Sequence, residues 1–464
     1  MKKILLLGCI FAIQSIYAQI ISKDLSFASN GIFTMPGNLT FSMAQDPAGS
    51  IYFTHNVNTY PGINVTESYV SKITSNGLPD ITFGTSGTVP LPYNNYLNEV
   101  KIQTDGKLIV FGFTNSESVV ISRILPNGQS DSTFGTNGTV VIPSLVPDQT
   151  YSSYGIILQN DKILVHAVNY GQNVQHQHVI LRLNTNGSID NTFGNNGYVA
   201  TQGSPAGRTF VRIDNQSNII CFNSTIGFIQ KFNLNGQPIA SFGNNGVVSF
   251  VDPNGFGYGG TSAVFVDSNN RILCALGSSG DVKRINTDGT FDNTFNYNLF
   301  TSLGLYGGSW INCIVEKDGF YYAAGEGSPN HFISKINQTG SLDPAFSNYL
   351  QTDSNVEDMI VNNNNIIIRG SGYIVKYLLN TTTLSTTDAI KTSLDIVFEN
   401  PVKQNLVYSA KEKISKMEIY SPDGKLVKTI KENNSNVSEL SKGVYFAKVT
   451  FDNGKSITKK IIKL

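Results

Sequence analysis

Residues 188–199 read SIDNTFGNNGYV, and the phrase returns as LPDITFGTSGTV (78–89), QSDSTFGTNGTV (129–140), QPIASFGNNGVV (237–248), TFDNTFNYNLF (290–300) and SLDPAFSNYL (341–350). One such loop, with its Asp, Asn, Gly and a single Phe, has the composition of a ligand loop. Recurrence in every stretch of the chain points instead to a scaffold element, a turn followed by an aromatic wedge.

Aligned on the aromatic, the copies place Phe27, Phe83, Phe134, Phe193, Phe242, Phe295 and Phe346 at intervals of 49 to 59 residues. A period near fifty without helical patterning belongs to propeller arrays. Three β-rich runs precede each phrase, as in YGIILQ, KILVHAV and HVILRL, and a fourth follows, GYVAT. Four strands per period make one propeller blade. Three-strand sets begin near residues 39, 98, 154, 208, 262, 311 and 356, but the seventh has no phrase and no outer strand after it. The leftover first copy, DLSFASNGIFTM (24–35), can supply that strand and remove an open sheet edge. The expected fold is all-β: a seven-bladed β-propeller over residues 19–380, closed by the N-terminal strand in residues 24–36, followed by a small C-terminal β-sandwich.

Within the phrase, a turn glycine (Gly77, Gly128, Gly187, Gly236, Gly289, Gly340) stands six residues before the Phe. An Asp (Asp24, Asp80, Asp131, Asp190, Asp292, Asp343) stands three before it, with Ile239 in the one remaining copy. A carboxylate at such a turn is suited to accepting backbone N–H bonds. A calcium loop is the sharper alternative, but one Asp per copy amid amides does not provide the six to eight oxygens of such a site. Gly31, Gly87, Gly138, Gly197 and Gly246 open the outer strands. Over residues 24–380 these repeats resemble the delta-60 repeat of secreted bacterial proteins, which is read as propeller-forming and implies no common chemistry.

The 464 residues carry 33 basic and 33 acidic side chains and are only 14% charged. That balance gives no basic face for nucleic acid. MKKILLLGCIFAIQSIYAQ opens with Lys2 and Lys3, an apolar run from Ile4 to Ile13 and Ala18 before Gln19, the pattern of a secretory signal peptide (1–18) cleaved after Ala18. Cys9 sits too early in that run for a lipidation site. No other run approaches the length of a membrane span. Cys221, Cys274 and Cys313 lie in apolar strand-like runs as small buried hydrophobes, and Cys221 and Cys274 occupy matching positions in neighbouring repeats, where a bridge is one alternative.

After a Thr-rich linker (381–392) the texture changes: residues 385–464 hold 14 Lys against 9 acidic residues. Alternating apolar and polar positions, with turns at Asp423-Gly424 and Asn453-Gly454, predict hairpins over 393–464. This segment resembles the type A sorting domain of the type IX secretion system in Asn400-Pro401, in the strand and turn from Ile419 to Val427 with Gly424, in Gly443-Val444-Tyr445 and in the basic, apolar end with Lys459 and Lys460. The resemblance implies Sec export, then handling by the type IX machinery as partner, and a secreted or outer-membrane-surface location in a Gram-negative bacterium.

No nucleophile elbow, phosphate loop or zinc-protease helix is present, and no cofactor or metal is expected. His176 and His178 alternate on one strand face as the one candidate metal pair, against a solvated strand end. The blade-to-blade connections differ in length and carry Tyr93, Tyr96, Tyr151, Tyr154, Phe256, Tyr258, Tyr306 and Trp310. Aromatics with Gly and Asn on loops make adaptable contact surface. The sequence therefore predicts a non-catalytic binding propeller for glycan or protein, with a hydrolase or lyase acting on extracellular polysaccharide as the alternative.

Overall fold

The computed structural model describes residues 17–464 apart from 38, 59–65, 92–96, 114–117, 143–149, 171–176, 202–208, 224–226, 250–260, 278, 306–308, 328–330, 345, 347–355, 384–395, 423 and 453–455. The chain divides into two units, Ala18–Thr382 and Thr383–Leu464.

Among the described residues the first unit contains seven antiparallel sheets. In the third, Thr150–Gln159, Lys162–Tyr170, Gln177–Leu183 and Tyr198–Thr201 pair in chain order. The inner strands form a ring. Leu39–Gln45 packs on Leu97–Ile102, the sequence continues through Thr150–Gln159, Thr209–Ile213, Thr261–Val266 and Trp310–Lys317 to Asp358–Val361, and that strand returns to Leu39–Gln45. Both faces of a blade are covered by its neighbours. Central strands such as Val119–Ile124 and Ile272–Leu276 are therefore buried at every position, and Ile272–Leu276 reads as a continuous apolar run.

Closure takes the expected route with one addition. Ile32–Thr34 pairs with Tyr373–Val375 as the outer strand of the last blade. Tyr17–Lys23 joins the same strand, so the amino end supplies two strands where the sequence predicted one. The sixth sheet has three described strands, Trp310–Lys317, Phe320–Glu326 and Phe332–Ile336. A second departure is a short helix, Leu299–Leu303, in a connection read as loop. Asn298 caps it by accepting from the Thr301 amide at 3.0 Å, and Leu299 and Leu303 are buried. Two apolar residues spaced four apart bury a helical face there, which the Gly-rich surroundings concealed.

In the second unit, Leu426–Ile430, Ile414–Tyr420, Gly443–Phe451 and Ser456–Lys463 form a four-stranded sheet in that order. The pairs Ile396–Phe398 with Tyr408–Ala410 and Asn405–Leu406 with Ser435–Asn436 complete a β domain around Met417, Ile419, Ala447, Val449 and Ile461. No helix among the described residues is long and apolar enough to cross a membrane.

Candidate functional site

The repeated phrase forms a latch between adjacent blades. Each Phe of one blade enters the core of the next: Phe83 packs with Val100, Leu108 and Val120, and Phe193 with Ile219, Cys221 and Phe232. Both rings are fully buried. The turn glycines have positive φ, and two show a further constraint. A Cβ on Gly128 would lie 2.4 Å from the Gly84 amide nitrogen, and one on Gly289 would lie 2.5 Å from that of Gly243. Only glycine lets the turn approach the preceding blade so closely. At this approach the amide after the Phe donates to the neighbouring turn, Gly84 to Asn127 O at 3.0 Å and Gly194 to Asn235 O at 2.9 Å.

The Asp holds its own turn, as expected, and also a cation that the sequence reading missed. Asp190 Oδ1 accepts from the Thr192 amide at 3.2 Å and hydroxyl at 2.6 Å. Its Oδ2 accepts from Arg182 Nε at 2.7 Å and Lys162 Nζ at 2.6 Å. Arg182 continues to Leu234 O of the next blade at 2.5 Å and lies 4.5 Å from the centroid of Phe193. Arg123 and Arg284 repeat the arrangement with Asp131 and Phe134 and with Asp292 and Phe295. Lys72 and Lys335 pair with Asp80 and Asp343. For Asp80, Asp131, Asp190, Asp292 and Asp343 the basic residue stands eight positions earlier, a spacing legible in the sequence once its purpose is known. Where Ile239 replaces the Asp, Lys231 still lies over Phe242 but takes its carboxylate from Asp214 at 3.0 Å.

This setting fixes the charge on the latch. The Lys72 ammonium and Thr82 hydroxyl hold Asp80 at about 2. Burial would raise Asp131, but bonds from Thr133 and the charge of Arg123 outweigh it and hold that carboxyl at about 2 as well.

His178, of the candidate metal pair, is not solvated. His178, whose Nδ1 lies 3.1 Å from Thr209 Oγ1, is buried and stacks on His166 at 5.7 Å with planes 3° apart. A strand end was expected to be wet, but the adjoining blade covers this one. Its companion His176 lies outside the described residues. Burial depresses His166 to about 3, with His178 adding to the effect, and depresses His55 to about 4. Among the described residues no group of three or more His, Cys, Asp or Glu could hold a metal ion. Cys221, Cys274 and Cys313 are free thiols, so Cys221 and Cys274 are not bridged.

Of the candidate contact aromatics, Trp310 begins the inner strand of the sixth blade and is 38% exposed. Tyr151, expected on a loop, belongs to the strand Thr150–Gln159, because the pairing with Lys162–Tyr170 extends past a bulge at Ser153/Gly155; Tyr154, read as the first residue of that strand as well as a contact aromatic, lies inside it. Tyr93, Tyr96, Phe256, Tyr258 and Tyr306 lie outside the described residues.

The sorting-type motif residues converge on the last strand. Asn400 donates to Lys460 O at 3.3 Å and accepts from the Ile462 amide at 2.9 Å. Just past Pro401, Val402 donates to Ile462 O at 2.7 Å and accepts from the Leu464 amide at 2.9 Å. Gly443 and Tyr445 lie on the strand paired with Lys459 and Lys460, while Gly424 closes the hairpin turn with φ +81°.

A family model described as "Secretion system C-terminal sorting domain" matches residues 396–464, and "Domain of unknown function (DUF5122) beta-propeller" matches residues 103–134 and 159–193. A comparison with curated proteins finds no match. Among solved structures, an extracellular domain described as that of a hybrid two component system from B. thetaiotaomicron is 13% identical over 96% of this chain and 59% of its own, with a TM-score of 0.46. Virginiamycin B lyase from Staphylococcus aureus is 11% identical over 75% of this chain and 98% of its own, with a TM-score of 0.48. The chain thus spans 59% of the length of the first of these.

The blades, their latch and the terminal domain define a secreted β-propeller protein. Specifically, it is a propeller with DUF5122, delta-60-like repeats and a C-terminal sorting domain of the type IX secretion system, which directs it out of a Gram-negative bacterium or onto its surface.

Proposed function

We propose that the propeller is a non-catalytic binding module for an extracellular glycan or protein, and that its contact surface is the face bearing the blade-to-blade connections. One observation carries this reading: the repeated turns on the opposite face are spent on one another. Asp190 is engaged by Thr192, Arg182 and Lys162, and Arg182 by Asp190, Gln159, Leu234 O and the Phe193 ring. Groups so committed have little left for a ligand, whereas variation among blades is concentrated in the connections. Trp310 opens the sixth blade at that face with its side chain partly exposed, as a contact anchor requires.

Glycan-array binding of the full chain, with turnover assays on every hit, tests the proposal. Saturable binding without turnover is the expected result. Trp310→Ala should weaken it by about 2 kcal/mol, the usual scale for a buried aromatic anchor, at unchanged melting temperature. Cleavage of a bound polysaccharide would establish the hydrolase or lyase alternative instead.

A further inference from the structure

The four-stranded sheet of the sorting domain has two unlike faces. Met417, Ile419, Ala447, Val449 and Ile461 fill the core on one. Strand alternation sends their neighbours to the other. There the register aligns Leu426, Tyr420 and Phe446 in one cross-strand row and Val444 with Ile462 in the next. Leu426 is 45% exposed and Ile462 38%, while Tyr420, Phe446 and Val444 are half-buried and none of the five belongs to the core. Such a row is unusual for an outward sheet face, where polar side chains are the rule. Farther along the same face the positions are polar, Thr429, Thr450 and Thr458.

The charges around the row have one sign in excess. Lys460 pairs across from Phe446, and Lys448 lies opposite Glu418, which also bonds Lys416 at 2.8 Å. Among the described residues of this face three lysines, Lys416, Lys448 and Lys460, thus stand with one carboxylate, Glu418. Asn400 and Val402 pin the strand carrying Lys460 and Ile462 from its far edge, so the row is presented on a fixed strand and not on a loose tail.

We infer that the export machinery docks on this outward face, placing an apolar patch edged by carboxylates over the row formed by Leu426, Tyr420, Phe446, Val444 and Ile462. The domain's role requires a partner that reads it, its other face is sealed in the core, and the lysine excess selects an acidic rim. A second copy of the same face would set lysine against lysine.

The test uses the full chain in a type IX-secreting host, with two variants, Ile462→Glu and the double charge reversal Lys448→Glu/Lys460→Glu, and Thr429→Gln as a control at the polar end. Export to the medium or cell surface is measured against periplasmic retention, together with the melting temperature of the purified full chain. Both variants should melt as the parent does and lose export at least tenfold, while the control is exported normally. Parental export of the charge-reversed protein overturns the inference. So does a fall in its melting temperature, which would show the face to be covered by the chain itself or by a second copy. If Ile462→Glu unfolds the domain, the charge reversal at exposed lysines decides alone.

Discussion

Asp24 and Lys376, from opposite ends of the propeller, reproduce the pairing found inside the other blades: the Asp24 amide donates to Lys376 O at 2.9 Å and the side chains meet at 3.3 Å. Within a continuous blade the same two contacts join Asp190 to Arg182, with N to O at 2.9 Å. Lys376 also lies 5.7 Å from the centroid of Phe27. The ring closes by completing a repeat whose two halves lie far apart in the chain.

Deletion of residues 19–36 is therefore expected to do more than trim an end. It removes Phe27 from a core with Met43, Ile51 and Phe53 and bares the edge of Tyr373–Thr383. Loss of a buried Phe alone costs about 3–5 kcal/mol, and an uncovered edge favours aggregation. Thermal melting with light scattering checks this; an unchanged melting temperature would refute closure by the amino end.

Asp190→Ala leaves Arg182 buried without its carboxylate, since side chains of the pair are only 3% and 4% exposed. Breaking such a pair from one side costs about 3–5 kcal/mol, more than lost turn hydrogen bonds alone. Ligand affinity of the folded protein should not change. Asp214→Ala should destabilise comparably, because Asp214 serves Lys231 where Ile239 stands, whereas Ile239→Asp should bring no gain. Urea denaturation of the three variants makes the comparison.

Acid should weaken the protein in two stages. His55 and His166 have folded values near 4 and 3 against 6.5 unfolded, so the unfolded chain takes up these protons first. Stability then falls as pH drops below 6.5 and continues to fall until the folded values are passed. The Asp80 and Asp131 carboxyls, near 2 when folded against 3.8 unfolded, add a second loss between those limits. Melting temperatures from pH 7 to pH 3 should decline throughout, and His166→Gln, where it folds, should flatten the earlier stage.

Truncation after Thr383 should leave a folded propeller in the periplasm, because the signal for the second export step lies in residues 396–464. Fractionation of medium, surface and periplasm is the measurement. Normal amounts of truncated protein in the medium would contradict the role of the domain.

The repeat, the seven sheets it builds, the need for an amino-terminal closing strand and the presence of a lysine-rich terminal β module were all legible in the sequence. These features depend on local periodicity and turn chemistry, which each stretch of chain carries in its own residues. Contacts made only after blades meet were not legible. Arg123, Arg182 and Arg284, eight positions before their Asp residues, looked like ordinary polar strand residues until packing set each over a Phe and against the next turn. His178 looked like a wet strand end until the adjoining blade covered it. Tyr151 looked like a loop residue until a partner strand extended alongside it. In the terminal domain, Asn400 carries its meaning only through Lys460 and Ile462, residues it reaches by folding. A side chain's type and spacing determine which elements form, but its burial and its partner depend on the neighbouring element, and tertiary structure alone supplies that neighbour.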